Sequence, residues 1–430
     1  MRWALAIALV GCGAPPPPTR ADAIAEALID RDRALIDERP DLVAGKLARM
    51  ASAPQEFLAG SAALFYRDAA LDALDGDGHD FGQILGDLHA ESVGATFDDA
   101  GMLIDCLDFD ASTPAPLAWE VRRAGLGVAT AAVLAGRDLD GAAAAAGEMA
   151  AGYLDALDGG AAPLREGDPA LGAILGDLLA DARARRDARA ELASSTAIGP
   201  SGRRLLRDET LTDPPPPFDR GLDGALAAYR ATRKAGPVAD GWLRVKDAAR
   251  RLGDGVASFA DLRLWVLVEG DTASDGDDVL LELLEERDPP LAAAAVDNGE
   301  RVALAGARLD ATAGVDPDLG FVDWQGVSFR VRRVTAGRRA LDLDETADAL
   351  LDRVYGETDL RALARAVGRV MGAAHARSAD PSTILAAIAD RDAFRRAVEA
   401  AAARDVERLF DDYGLFVAAL HARGPLLGAR

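Results

Sequence analysis

Between Ile84 and Asp110 the chain reads ILGDLHAESVGATFDDAGMLIDCLDFD, and few folds accommodate that order of residues. A buried apolar lead-in runs into the polar group Gly86-Asp87-Leu88-His89. An acidic turn from Asp98 to Gly101 follows, then the strand Met102-Leu103-Ile104 and the carboxylates Asp105, Asp108 and Asp110. Strand residues that end in two carboxylate sets and are joined by a short hairpin can face one ligand. Such oxygen ligands suit a hard divalent cation like Mg²⁺, which usually keeps some water and ligand phosphate. Asp87 can alternatively be a base that accepts a hydroxyl proton. The competing reading is structural, with these acids capping turns and pairing with Arg122 and Arg123.

The flanking sequence supplies a helical body. Residues 21–80 carry apolar residues near helical spacing, in ADAIAEALIDRDRALI and PQEFLAGSAALFYRDAALDALDG, and Gly76 and Gly78 end the run. A helix beginning at Trp119 is expected to pack beneath the acids. Stretches 120–158 and 166–197 are alanine-rich and helical, parted by Gly159, Gly160 and Pro163. The prolines at 214–217 make a hard break, after which the pattern changes. A helix over 220–234 precedes strands over 242–252, 262–269 and 279–285, the first two joined by the tight turn Gly253-Asp254-Gly255. A helix over 298–312, a strand pair over 321–324 and 327–334, and a helix over 360–375 follow. The fold class is therefore α+β, mostly helical with a small antiparallel sheet. We divide it into a helical lobe (21–215), a β-rich lobe (216–335) and a helical continuation (336–430).

Residues 1–12, MRWALAIALVGC, read as a targeting segment. Arg2 gives a positive start, and the apolar run from Trp3 to Val10 is too short to span a bilayer. Leu9-Val10-Gly11-Cys12 resembles the bacterial lipoprotein signal, which implies that Cys12 is lipidated, and residues 13–20 form a proline-rich tether. The expected address is the cell envelope, lipid-anchored and periplasm-facing. Cys106 would then be alone, and its apolar strand suggests a small buried thiol. The formal net charge of −23 argues against nucleic acid and anionic membrane surfaces as partners. Membrane contact would come only through Cys12.

GDLH followed by an apolar strand and LDFD resembles the catalytic core of aminoglycoside-phosphotransferase-like kinases. That resemblance implies Asp87 as catalytic base, with Asp108 and Asp110 on metal. Ser92 stands where such enzymes place an asparagine for a second metal. His89 is expected to orient Asp87 from the core, and Arg122 or Arg123 to pair the acids. A closer resemblance, to the bacterial family called domain of unknown function 2252, covers nearly the whole chain. It rests on KLARMASAPQEFLAG, GDLHAESVG, LDFD, PLAWEVRRAG, VKDAARRL, LWVLVEG, GERVALAGARL and GAAHARSAD, in that order. The family brings no settled activity with it.

The strand and helix order over 242–334 is that of a kinase amino-terminal lobe, yet it comes after GDLH and LDFD. This predicts a circularly permuted, kinase-like two-lobe fold, with Asp80 and Arg377 close together. Several departures argue against ATP. Asp254 stands in the glycine turn, Ala59 replaces a family arginine, and Leu284 stands where a lysine would precede Glu285. Lys246 is the only lysine in the predicted sheet, and the 298–312 helix has Leu304 and Ala305 at its middle with Glu300 only at its start. The expected function is a kinase-like pseudoenzyme that binds a small molecule or a protein partner. The alternatives are a Mg²⁺-dependent phosphotransferase using Asp87, and a structural envelope protein.

Overall fold

Thr19 sets where the helical body begins. Its hydroxyl accepts from the Asp22 amide at 3.2 Å, and the Asp22 carboxylate accepts from the Thr19 amide at 2.8 Å. This reciprocal cap starts α1 (Arg20–Glu38). Helices α2 (Pro40–Met50) and α3 (Pro54–Gly60) each open on a proline, whose missing N–H would have no partner in a first turn anyway. Helix α4 (Ala62–Ala69) completes the group. The computed structural model describes residues 18–69, 81–160, 162–200, 202–236, 243–272, 274–291, 296–312, 316–335 and 337–429. Cys12, Gly76, Gly78 and Asp80 lie outside the described residues.

The expected hairpin is present. Strand β1 (Phe81–Ile84) leads into the GDLH loop, and β2 (Val93–Asp98) pairs with β3 (Gly101–Cys106) from Val93 opposite Cys106 to Asp98 opposite Gly101. Strand β4 (Thr113–Pro116) returns along β1 and feeds α5 (Leu117–Leu134) and α6 (Leu139–Asp155). Strand β5 (Leu164–Arg165), α7 (Gly172–Arg185), α8 (Ala188–Ser195), the hairpin β6 (Thr196–Gly199) and β7 (Gly202–Leu205), and β8 (Leu211–Thr212) follow. Next come α9 (Leu222–Thr232), β9 (Val245–Arg251), β10 (Arg263–Val268), β11 (Val279–Glu285), α10 (Asn298–Leu309), β12 (Gly320–Trp324) and β13 (Val327–Arg333). Strand β14 (Arg339–Ala340), α11 (Leu343–Leu351), α12 (Glu357–Ser378), α13 (Pro381–Ile388) and α14 (Arg391–Arg423) end the described chain.

Two sheets matter for the site. An antiparallel six-stranded sheet runs β12-β13-β11-β10-β9-β8. One face packs Leu264, Val266, Leu281, Leu283, Phe329 and Val331 against Leu226 and Tyr229 of α9. Strand alternation puts Arg263, Glu282, Leu284, Arg330 and Arg332 on the other face. The second sheet, β14-β2-β3-β5, belongs to a larger apolar core shared with α5, α6, α12 and α14. A Cβ on Gly82 would meet Ser378 Oγ at 2.8 Å, so the end of α12 lies against β1. Among the described residues no helix is long and apolar enough to cross a membrane.

Candidate functional site

The GDLH loop is built around a backbone that only glycine tolerates. Gly86 has φ +83°, and a Cβ there would lie 2.1 Å from the Ala111 carbonyl oxygen. Behind the loop, Glu120 in the first turn of α5 accepts from the Leu85 amide at 3.1 Å and the Gly86 amide at 2.7 Å. His375 Nε2 lies 2.8 Å from Glu120, and its Nδ1 lies 3.0 Å from the Tyr153 hydroxyl. Glu120, His375 and Tyr153 are buried. Sequence reasoning did not single out Glu120 or His375. Their only signal was membership of PLAWEVRRAG and GAAHARSAD.

Asp87 is oriented by Arg123, whose Nε and Nη2 donate to Oδ1 at 2.9 and 2.7 Å. The same Nη2 donates to the Leu58 carbonyl at 2.7 Å, so the fully buried guanidinium ties α3, α5 and the loop together. Oδ2 of Asp87 accepts no hydrogen bond among the described residues. Two expectations are corrected here. His89 makes no hydrogen bond to Asp87 among the described residues. It is buried, its Nδ1 has no hydrogen-bond partner among the described residues, and desolvation pushes its pKa down to about 4, which keeps the ring neutral. Arg122 forks onto Asp405 of α14 at 2.6 and 2.8 Å, and it is Arg123 that pairs Asp87. Ser92 closes the loop, donating to the Asp87 carbonyl at 2.8 Å and accepting from the His89 amide at 3.3 Å.

The LDFD acids separate into two environments. Asp108 accepts from the Asp110 amide at 3.1 Å. The residue is exposed at the cavity, yet desolvation of its carboxyl by the surrounding protein, with Asp110 beside it, pushes its pKa up to about 7. Asp110 faces Arg330 Nη2 at 3.1 Å, and Arg330 also donates to Glu286 at 3.0 Å. Arg301 of α10 donates to the Asp110 carbonyl at 2.9 Å, so this helix contributes an arginine in place of the missing acid. Leu304 of the same helix is 57% exposed. Asp105 does not join the other acids. It accepts from the Ala311 amide at 2.5 Å and lies 3.4 Å from Arg377 Nη2. Cys106 is a buried thiol whose pKa burial raises.

Asp87, His89, Ser92, Asp108 and Asp110 line one cavity of ≈ 290 Å³. The glycine turn contributes Gly255 to Ser258, with Asp254 held by Arg251 at 3.0 Å. The stretch Glu285 to Arg287 and the helix residues Arg31, Lys46, Arg49 and Glu56 complete much of the wall. Cations therefore reach the cavity from α1, α2 and the end of β11, which the focus on Leu284 missed. Lys46 meets Asp32 at 2.6 Å, Arg287 meets Asp32 at 3.1 Å and Asp261 at 2.6 Å, and Arg49 meets Glu56 at 3.3 Å. Leu284 itself is buried, register-paired with Arg263 and Arg330. Lys246 pairs with Asp275 and Asp278 at 2.8 and 2.6 Å, apart from the cavity wall. Glu91 also lines the cavity, and burial pushes its pKa up to about 7. Among the described residues no three His, Cys, Asp or Glu side chains converge to hold a metal ion.

The protein family described as "uncharacterized protein conserved in bacteria (DUF2252)" matches residues 38–419. No curated protein and no solved structure matches the chain.

Proposed function

The chain belongs to the DUF2252 family, and from that premise we propose that its cleft binds a small cationic molecule on a kinase-like, circularly permuted two-lobe scaffold, without phosphoryl transfer. One observation carries this reading. Asp108 and Glu91 line the cavity, and neither forms an ion pair among the described residues. The cations of the wall are already engaged: Lys46 and Arg287 by Asp32, Arg49 by Glu56, and Arg31 by the Asp288 carbonyl. The surplus charge of the cavity is thus negative, which disfavours a triphosphate and favours an amine. Each charge-assisted hydrogen bond to such an amine contributes about 1.5–3 kcal/mol.

A second reading, a Mg²⁺-dependent phosphotransferase, is supported by Asp87, held through one oxygen and leaving Oδ2 for a substrate hydroxyl. Of the expected ligands, Asp87 and Asp108 would be the carboxylates available to a metal ion, since Asp110 faces Arg330 and the Ser92 hydroxyl is used in the loop. Mg²⁺ on two carboxylates takes its remaining ligands from water and phosphate. Thermal-shift titrations of the full chain with putrescine, with MgCl₂ and with Mg²⁺–ATP separate the readings. Stabilisation by putrescine that is reduced, with Glu91 still in place, in Asp108→Asn is expected. A shift with Mg²⁺–ATP and none with putrescine would overturn the cation reading in favour of the transferase. A shift with none of the three would favour the structural envelope role.

The lipoprotein address belongs to the same proposal and rests on residues 1–12. Cys12→Ala should release the protein from the membrane fraction, and unchanged partitioning would count against the anchor.

A further inference from the structure

A second cavity, of ≈ 360 Å³, opens where β2, the end of α7, the chain after α10 and the end of β13 meet. Its wall includes Phe97, Arg186, Pro317, Arg333 and Arg338, and it shares no lining residue with the Asp87 cavity. In a chain with net charge −23, carboxylates outnumber cations, so an arginine without an acid partner is conspicuous. The Arg186 guanidinium forms no hydrogen bond or ion pair among the described residues. It sits 4.0 Å from the centroid of the Phe97 ring, which holds it in place. Gly337 leaves room for that stack, because a Cβ there would lie 2.7 Å from Phe97 Cε1 and 3.2 Å from Arg186 Cγ. Arg333 and Arg338 each meet one carboxylate outside the wall, Asp318 and Asp310, at 2.6 Å. Arg338 Nε is buried without an acceptor among the described residues. The acid in the wall, Asp316, is driven by burial toward its neutral form.

We propose that this cavity binds a small organic acid with an apolar body, its anionic group on Arg186 and Arg338 and its body against Phe97 and Pro317. The volume lies within the range of small-molecule sites. Arginine suits a planar carboxylate because its fork donates two parallel hydrogen bonds.

The test is isothermal titration of the full chain with benzoate, and with benzylamine as the cationic counterpart. Benzoate is expected to bind with one-to-one stoichiometry. Arg186→Gln, at an exposed side chain, should weaken it by roughly tenfold or more, and Gly337→Ala should weaken it by displacing the stack. Asp108→Asn should leave benzoate binding unchanged, so the outcome is independent of the cation reading of the other cavity. Melting curves matching the parent tie any loss to the site. Absence of saturable benzoate binding at millimolar concentration would overturn the proposal. So would equal binding of benzoate and benzylamine, or affinity untouched by both variants.

Discussion

Replacing Glu120 by glutamine changes one buried oxygen into an amide and leaves the side-chain volume intact. Oε1 of Glu120 accepts from Gly86 at 2.7 Å, while Oε2 accepts from Leu85 at 3.1 Å and meets His375 Nε2 at 2.8 Å. With the Tyr153 hydroxyl donating to Nδ1 at 3.0 Å, the imidazole proton sits on Nε2 and also points at Glu120. Glutamine can be seated two ways. One turns its NH₂ toward Gly86 and leaves one donor facing a donor; the other leaves two. In the first, cheaper seating, the unsatisfied Gly86 amide costs about 1–3 kcal/mol. The two surviving bonds pass from charged to neutral, which removes about 0.5–1.5 kcal/mol each. The expected loss for Glu120→Gln is therefore about 2–6 kcal/mol, large against ordinary domain stabilities. Urea denaturation followed by far-ultraviolet circular dichroism measures it, and putrescine titration tests whether Asp87 has moved with the loop. A loss below about 1 kcal/mol, with ligand response intact, would refute the claim that Glu120 holds the GDLH loop.

Gly86→Ala combines a left-handed backbone with a Cβ 2.1 Å from a carbonyl oxygen, so it should destabilise by several kcal/mol in the same denaturation assay. Leu284→Lys should not restore nucleotide binding in a thermal-shift assay with Mg²⁺–ATP. It places a cation between Arg263 and Arg330 at a buried position and should lower the melting temperature. Putrescine affinity should rise with pH as Asp108 and Glu91 ionise near about 7. Between about pH 6 and about pH 8 each group's ionised fraction rises roughly tenfold, and Asp108→Asn should halve the logarithmic slope measured by calorimetry. The ligand-free protein should move the other way. Both carboxyls hold protons in the folded state at pH values where the unfolded chain has released them, so stability falls as pH rises from the ordinary carboxylate range to about 7. Melting temperatures across that window, with and without putrescine, check both signs.

The arrangement places three fully or nearly buried networks around one acidic gap. Glu120 and His375 hold the loop from behind, Arg123 aims Asp87, and Lys46 with Arg287 closes on Asp32 at the side. Arg123 with Asp87 and Lys46 with Asp32 are charged donor–acceptor pairs that leave water together, so truncating one partner is far more damaging than the pair's own net contribution suggests. That is a physical reason for the loop to be rigid while the gap stays open.

Local chemistry was enough to read the hairpin, the strand Val279–Glu285 and the meeting of Asp87 with Asp108 and Asp110, because each depends on neighbours within a short stretch. Alternation, turn glycines and apolar periodicity are short-range signals, and the sequence carries them in full. Partner choice is not short-range. Arg122 and Arg123 are consecutive, yet successive helical residues point about 100° apart; one meets Asp87 and the other Asp405, a residue of α14 that only packing brings near. Asp105 belongs to the same acidic run as Asp108 but stands within the strand, and the chain after α10 captures it. Two of the cavity's cations, Lys46 and Arg287, are far apart in the chain, and Asp32 with Asp261 takes up their charge. The amino-acid order thus determined which elements form and which carboxylates share a hairpin. Tertiary packing alone decided which charges are neutralised, because Coulomb energy in a low-dielectric interior depends on separation in space and not along the chain.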